Sequence, residues 1–309
     1  MFQNRRDFIK SIGVGVLGAA SFSDVLAESA KKKMFFEISL AEWSLHKALF
    51  AKKITNMDFP EIARKQFDIG TVEYVNQFFK DKANDTAYLN ELLQRCKDNN
   101  VKNHLIMIDG EGGLGELDDA KRNQAVENHY KWVEAAKYLG CKTIRVNAFG
   151  TGTAEEVAKA AIEGLGKLGE YASKEKINVI VENHGGYSSD GQWLSGVMKQ
   201  VGRKNVGTLP DFGNFCLERK PGSYDCVNEY DRYKGVKELM PYAMGVSAKS
   251  YDFDTNGNVI ETDYMKMMKI VKESGFKGIV GIEYEGSKTD EYEGIKKTKE
   301  LLEKVGKMV

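Results

Sequence analysis

Proline and cysteine are scarce, with four of each in 309 residues, and neither sign of charge is in excess, with 45 basic against 45 acidic side chains. Each shortage excludes something. No Pro-, Gly- or Ser-rich stretch divides the chain, so a second domain is not indicated. No pair of cysteines forms a C-x-x-C motif, which removes the usual thiolate metal sites. A neutral total, with no basic run longer than Lys31-Lys32-Lys33, offers no stripe for a nucleic-acid backbone. The apolar run from Ile12 to Ala20 falls well short of the roughly 20 residues that span a bilayer. A Gly-rich phosphate turn after the first strand, the usual mark of a doubly wound open sheet, is also missing.

What is present begins with a leader. Asn4-Arg5-Arg6-Asp7-Phe8-Ile9-Lys10, the apolar Gly-rich run and Val25-Leu26-Ala27 together resemble a twin-arginine signal peptide, cleaved after Ala27. Residues 1–27 are therefore expected to direct export to the periplasm, residues 28–33 to be a short basic linker, and residues 34–309 to be the folded domain. In an oxidising compartment Cys216 and Cys226 either bridge a loop or stay, like Cys96 and Cys141, as buried thiols.

From Met34 onward, short β-rich apolar runs alternate with longer stretches of helical periodicity, the pattern of a parallel sheet covered by helices. Strands are expected at Phe35 to Leu40, Gly70 to Tyr74, Lys102 to Ile108, Thr143 to Asn147, Asn178 to Glu182, Val206 to Pro210, Met244 to Ser247 and Ile279 to Tyr284. Between them, Asp118 to Leu139, Glu155 to Lys174, Asp190 to Val201, Asp263 to Ser274 and Asp290 to Val305 carry apolar residues at three- and four-residue steps. Eight strands in such an alternation predict a single (β/α)₈ barrel of the α/β class, and a length above 250 residues suits it.

Chemistry in such barrels sits where the strands end. The fifth strand ends in Glu182-Asn183-His184, the sixth in Asp211-Phe212-Gly213-Asn214 and the eighth in Glu283-Tyr284-Glu285. Three acids converging on one mouth repel one another unless a cation or a shared proton compensates, so a divalent metal held by Glu182, Asp211 and Glu283 is expected. An all-oxygen set suits Mg²⁺, Mn²⁺ or Ca²⁺ better than Zn²⁺.

At these residues the chain, over essentially all of Met34 to Val309, resembles the xylose-isomerase-like sugar isomerase and epimerase superfamily. The runs from Ser39 to His46 and from Val72 to Val75 are further points of likeness. The resemblance implies a divalent ion, Mn²⁺ or Mg²⁺, on a Glu after strand five, an Asp after six, a His after seven and a Glu after eight. Glu182, Asp211 and Glu283 match, but Ser247-Ala248-Lys249-Ser250 stands where the family shows His-x-Lys-Asp, so Ser247 replaces the imidazole. Asn214 likewise stands where relatives often carry His. It implies Glu182 and Glu283 as acid and base, and a keto-sugar substrate from which a proton beside a carbonyl is removed. A lyase acting on a 3-keto-glycoside, or a barrel that binds carbohydrate without turnover, are the alternatives. The DNA-repair branch is set aside because the strand ends offer too few histidines.

The expected substrate contacts are Trp43, His46, Glu73, Asn147, His184, Asn214 and Lys249. His184 either touches substrate or is bonded into its loop; Lys249 either pairs with Glu283 or Asp211 in place of a metal, or polarises a carbonyl. Trp43, Tyr74, Phe149, Trp193 and Phe212 are candidate walls for a sugar ring. His104 and His129 are assigned structural roles, with His129 on the outside of its helix. The run from Asp109 to Gly115 reads as a mobile loop over the mouth, and that from Asp252 to Asn258 as a turn. The partner is thus a small carbohydrate, with no nucleic acid, no membrane once the leader is removed, and homo-oligomerisation left open.

Overall fold

The computed structural model describes residues 33–309 except Tyr224. The expected twin-arginine leader, its cleavage site and most of the linker lie outside the described residues.

Eight parallel strands form one sheet: β1 (Glu37–Ala41), β2 (Thr71–Val75), β3 (Lys102–Met107), β4 (Thr143–Val146), β5 (Asn178–Glu182), β6 (Val206–Leu209), β9 (Val246–Ser250) and β10 (Ile279–Tyr284). Their order is β6-β5-β4-β3-β2-β1-β10-β9, and the bridges Thr208 to Ala243 and Asp211 to Ser247 join the two edges into a nearly closed barrel. The eight expected strands are all present, with ends shifted by up to three residues. An unanticipated pair, β7 (Cys216–Arg219) and β8 (Cys226–Glu229), forms an antiparallel hairpin outside the barrel, closed by a Cys216–Cys226 disulfide. Its residues are mostly exposed and polar, so no apolar alternation announced it.

Period-two alternation decides what the barrel encloses. On β5, Val179 and Val181 pack into the layer shared with the helices, while Ile180 joins Ala41, Val75, Leu105, Met107 and Leu209 in a small central cluster. Continuing the inward phase one step up the strand brings Glu182 to the mouth, and the same phase selects Ser247 and Lys249 on β9 and Gly281 and Glu283 on β10. Several helices begin on aspartate or threonine caps: Asp118, Thr153, Asp190, Asp263 and Asp290 each accept from backbone N–H and stand one residue before the helix proper.

Two expectations about the surroundings are corrected. His129 is buried, with Nδ1 bonded to the Ala125 carbonyl, because its helix turns that face onto the barrel. The Asp109–Gly115 loop is anchored: Glu111 accepts from Trp132 Nε1 (2.8 Å) and pairs with Lys131, Leu114 is buried, and Gly115 N–H donates to the Phe149 carbonyl. The 252–258 turn forms as expected, held by Asp254 Oδ1, which accepts from Asn256 and Asn258 N–H. Cys96 and Cys141 are buried free thiols.

Candidate active site

Glu182, Asp211 and Glu283 bring one carboxylate oxygen each to within 4.8 Å of the others, all three side chains being buried. Asp211 is fastened from behind. Its Oδ1 accepts from Gly213 and Asn214 N–H (2.8 Å each), and Asn183 brackets its backbone on both sides. Ser247 Oγ lies 2.6 Å from Asp211 Oδ2 and 3.2 Å from Glu283 Oε2, tying the two carboxylates together. Asn214 Nδ2 donates to Glu182 Oε1 (2.9 Å).

Two buried cations answer the acids. Lys249 Nζ is 2.8 Å from Glu283 Oε1, 3.0 Å from Glu285 Oε1 and 4.0 Å from Asp211 Oδ2. Arg145, projecting inward from β4, places NH1 2.7 Å from Asp109 Oδ1 and Nε 2.9 Å from Glu182 Oε2. The second contact is close but out of line for a hydrogen bond, so Glu182 Oε2 is a buried oxygen without a hydrogen-bond partner. Burial pushes the carboxyls of Glu182, Asp211 and Glu283 above the usual range, against the pull of Arg145 on the first and Lys249 on the other two. Burial opposes ionisation of Asp109 and Glu285 as well, but Arg145 outweighs it at Asp109 and Lys249 at Glu285, and both are held well below the usual range.

These residues face a cavity of about 480 Å³ whose wall includes Trp43, Asp109, Arg145, His184, Lys249 and Glu283, together with Glu285, Asn214, Tyr251 and Arg219. Of the acid triad only Glu283 is part of that wall; Glu182 and Asp211 have no exposed surface. Trp43 Nε1 donates to Glu285 Oε1 (2.7 Å). Asn147 Nδ2 donates to Asp109 Oδ1, and this leaves Asn147 Oδ1 facing His184 Nδ1 at 3.0 Å; the network thus assigns the proton to Nδ1 and leaves Nε2 as an acceptor. His184 loses basicity through burial and the nearby Arg145 and Lys249, and its pKa falls to about 3.

The remaining sequence candidates sit elsewhere. His46 stacks on Trp43 with ring centroids 4.9 Å apart and is outside the cavity wall. Glu73 is enclosed in the barrel, accepts from Ser39 Oγ (2.5 Å), and occupies the space that a side chain at position 281 would fill, with its oxygens 2.8 Å from where a Cβ on Gly281 would stand. Tyr74 and Phe212 are core residues facing the helices and form no wall, whereas Phe149 and Trp193 line a second cavity beside the first. Sequence reasoning passed over Arg145 and Asp109. The signal for Arg145 was a charge at an inward position of Thr143-Ile144-Arg145-Val146, where only a paired ion is tolerated.

Glu42, just after β1, is the most strongly perturbed carboxyl away from the acid cluster among the described residues. It is fully buried, accepts from Val75 N–H (2.9 Å) and Asn56 Nδ2 (2.8 Å), and burial outweighs both bonds to lift its pKa from 4.5 to about 8. The native state therefore keeps a proton that the unfolded chain loses, so this group's contribution is complete below pH 4.5 and drains away as pH rises towards 8. Glu42→Gln should flatten that dependence: between pH 6 and 8, denaturant titrations should show wild type losing up to about 1.4 kcal/mol per pH unit more than the variant. Parallel pH profiles would mean that Glu42 is ionised in the native state.

The donor set suits a divalent ion on its own chemistry. Five carboxylates (Asp109, Glu182, Asp211, Glu283 and Glu285) surround two cations, the triad offers three converging oxygens, and Glu182 Oε2 lacks a hydrogen-bond partner. Oxygen-only ligands fit Mg²⁺ or Mn²⁺.

Among solved structures, D-psicose 3-epimerase in the presence of D-fructose is similar to this chain at 12% identity, covering 88% of this chain and 100% of that one with a TM-score of 0.67. The IolI protein with a binding zinc atom is similar at 16% identity, over 88% and 99% of the two chains, with a TM-score of 0.66. A xylose isomerase-like TIM barrel protein from Mycobacterium smegmatis in complex with magnesium matches at 15% identity, over 89% and 97%, with a TM-score of 0.63. Identities this low carry the fold alone. No curated protein matches the chain by sequence. The family model described as xylose isomerase-like TIM barrel matches residues 63–305, most of the chain, and with the eight-stranded barrel and its acidic mouth this places the protein in the xylose isomerase-like TIM barrel family.

Proposed function

We propose that this chain is an exported sugar isomerase or epimerase that moves a proton at a carbon beside a carbonyl. The observation that carries this reading is the convergence of Glu182, Asp211 and Glu283 at the mouth of the barrel, with Lys249 against Glu283. Magnesium and D-fructose in the structures of similar barrels lend it support. Glu182, Asp211 and Glu283 would hold one Mg²⁺ or Mn²⁺, which when bound supplies Lewis-acid polarisation of the substrate carbonyl.

The chain's own groups have separable tasks. Glu283, on the cavity wall, is the carboxylate placed to exchange a proton with substrate, and Glu182 is its counterpart across the triad. Lys249 holds Glu283 in place and favours its ionised form against the penalty of burial. Neutral His184, oriented by Asn147, offers Nε2 to a sugar hydroxyl, and Trp43, fixed through Glu285, presents a ring to an apolar sugar face.

The test is purified protein incubated with a panel of keto-hexoses and keto-pentoses in heavy water, followed by NMR, with elemental analysis of the same preparation. Deuterium gained beside the carbonyl and near one divalent ion per chain are expected. Turnover without solvent label would replace proton abstraction by a hydride shift, and full activity in chelator would remove the metal. Export is tested alongside: replacing Arg5 and Arg6 with Lys should leave uncleaved precursor inside the cell, and normal processing of that variant would end the assignment.

A further inference from the structure

Beside the polar cavity lies a second one of about 560 Å³, whose wall is formed chiefly by Phe149, Tyr187, Trp193 and Leu217. Both volumes fall in the range of small-molecule sites, about 300–1,000 Å³. The two are contiguous. Gly185 borders both, and the consecutive residues Cys216 and Leu217 border the polar and the apolar cavity respectively, so one strand of the disulfide-closed hairpin runs along the line between them. At Gly185 the backbone is left-handed (φ +99°), and a Cβ there would meet open space beyond its chain neighbours.

The aromatic side chains are arranged for contact through their faces. Trp193 Nε1 donates to the Ala154 carbonyl (2.8 Å) and Tyr187 Oη to that of Gly152 (2.9 Å), so their polar ends are satisfied within the protein. The Tyr187 and Trp193 rings lie 5.9 Å apart, 28° from parallel. Phe149 is 43% exposed and lies nearly parallel to His184, which is itself on the polar wall. Among the described residues that line it, Asp190 alone is charged and none is basic, and Asp190 spends Oδ1 capping the helix that begins at Gly191. That chemistry suits a neutral ring with an apolar face and is unsuited to a phosphate.

We propose that this compartment receives a second ring, so that the substrate is a glycoside whose reacting ring itself carries a keto group: that keto-sugar lies by Glu283 and its aglycone, an aryl group or a second sugar, lies against Phe149 and Trp193. This rests on the carbohydrate reading of the polar cavity and names its substrate class. No bond is made or broken in the second compartment; it contributes binding.

Calorimetric titration of the full-length mature protein with methyl, phenyl and cellobiose-type β-glycosides of the gluco, galacto and xylo series separates the outcomes. The phenyl glycoside or the disaccharide should bind about tenfold tighter than the methyl glycoside of the same series, the scale of one aromatic contact with its buried area. Which of the two gains identifies the ring as aryl or sugar. In Phe149→Ala, and independently in Trp193→Ala, that ratio should fall towards one, with circular dichroism confirming a native fold. Equal affinity for methyl, phenyl and disaccharide ligands, or a ratio unmoved in both variants, overturns the second-ring assignment alone. If none of the glycosides binds while free keto-sugars are turned over, the glycoside is overturned and the isomerase reading stands; if neither class binds, both fall.

Discussion

Glu283→Gln is expected to slow solvent exchange at the substrate carbon by about a hundredfold or more, with Glu182→Gln close behind, because positioned acid–base groups contribute about 10²- to 10⁴-fold. The amide keeps the shape and removes the proton acceptor. Glu283 is the triad member on the cavity wall, and Lys249 at 2.8 Å favours its ionised form against the penalty of burial. In the variant Lys249 still has Glu285 at 3.0 Å, so the fold should survive and the thermal melt should stay within a few degrees of wild type. Glu182 is enclosed, with Asn214 on Oε1 and Arg145 beside Oε2, so its loss should also disturb its neighbours and slow exchange partly through them. Near wild-type exchange in Glu283→Gln would remove it from the reaction and direct attention to Glu285, the other carboxylate on that wall. Near wild-type exchange in both variants would leave no role for the triad in proton transfer.

The barrel was readable because its evidence is repeated: eight apolar runs, each followed by a helical stretch, fix a topology even when individual ends are misplaced by a residue or more. The triad was readable for a related reason. Glu182 and Glu283 follow apolar residues in phase, and Asp211 lies two positions beyond the last inward residue of β6, so strand alternation alone aims them at one point. The cations were harder. Lys249 was noticed only because it stood near a missing histidine, and Arg145 was absorbed into its strand, since a sequence does not tell whether an inward charge has a partner. The cavity walls were least accessible. Tyr74 and Phe149 are both aromatic residues close to strand ends, yet one faces the helices and the other the mouth, and the difference is a matter of strand phase and loop path. The hairpin from Cys216 to Glu229 was invisible for a different reason: it buries little, and its disulfide depends on a Cα separation of 5.7 Å that a sequence separation of 10 does not dictate.

Lys249 is the residue on which the stability of the mouth should depend most. Its side chain is only 2% exposed, and Glu283, Glu285 and Asp211 lie within 4.0 Å of its ammonium group. Burial alone would lower its basicity, but the acids reverse that and hold it protonated, well above the usual lysine range. Lys249→Met keeps the volume of the stem and deletes the charge, which leaves Glu283 and Asp211 buried with a hydroxyl from Ser247 as their remaining shared contact. Breaking one side of a buried ion pair in this way costs about 3–5 kcal/mol; the Glu285 arm, a quarter exposed, should contribute least of the three. The loss should depend on pH and on metal in a definite sense. Without its ammonium the cluster gains by taking up protons, so the variant should recover stability relative to wild type as pH falls below neutrality. A divalent ion on the triad would supply the missing positive charge, so millimolar Mg²⁺ or Mn²⁺ should raise the variant's melting temperature more than that of wild type. Denaturant titration and thermal melts of the two proteins, with metal and with chelator, measure all three effects. A variant as stable as wild type in chelator at neutral pH would mean that the triad already shares protons and that Lys249 is not its counter-charge. A large loss that no divalent ion offsets would argue that the three oxygens do not close around a cation, and would leave the ammonium group as the positive charge available to the substrate carbonyl.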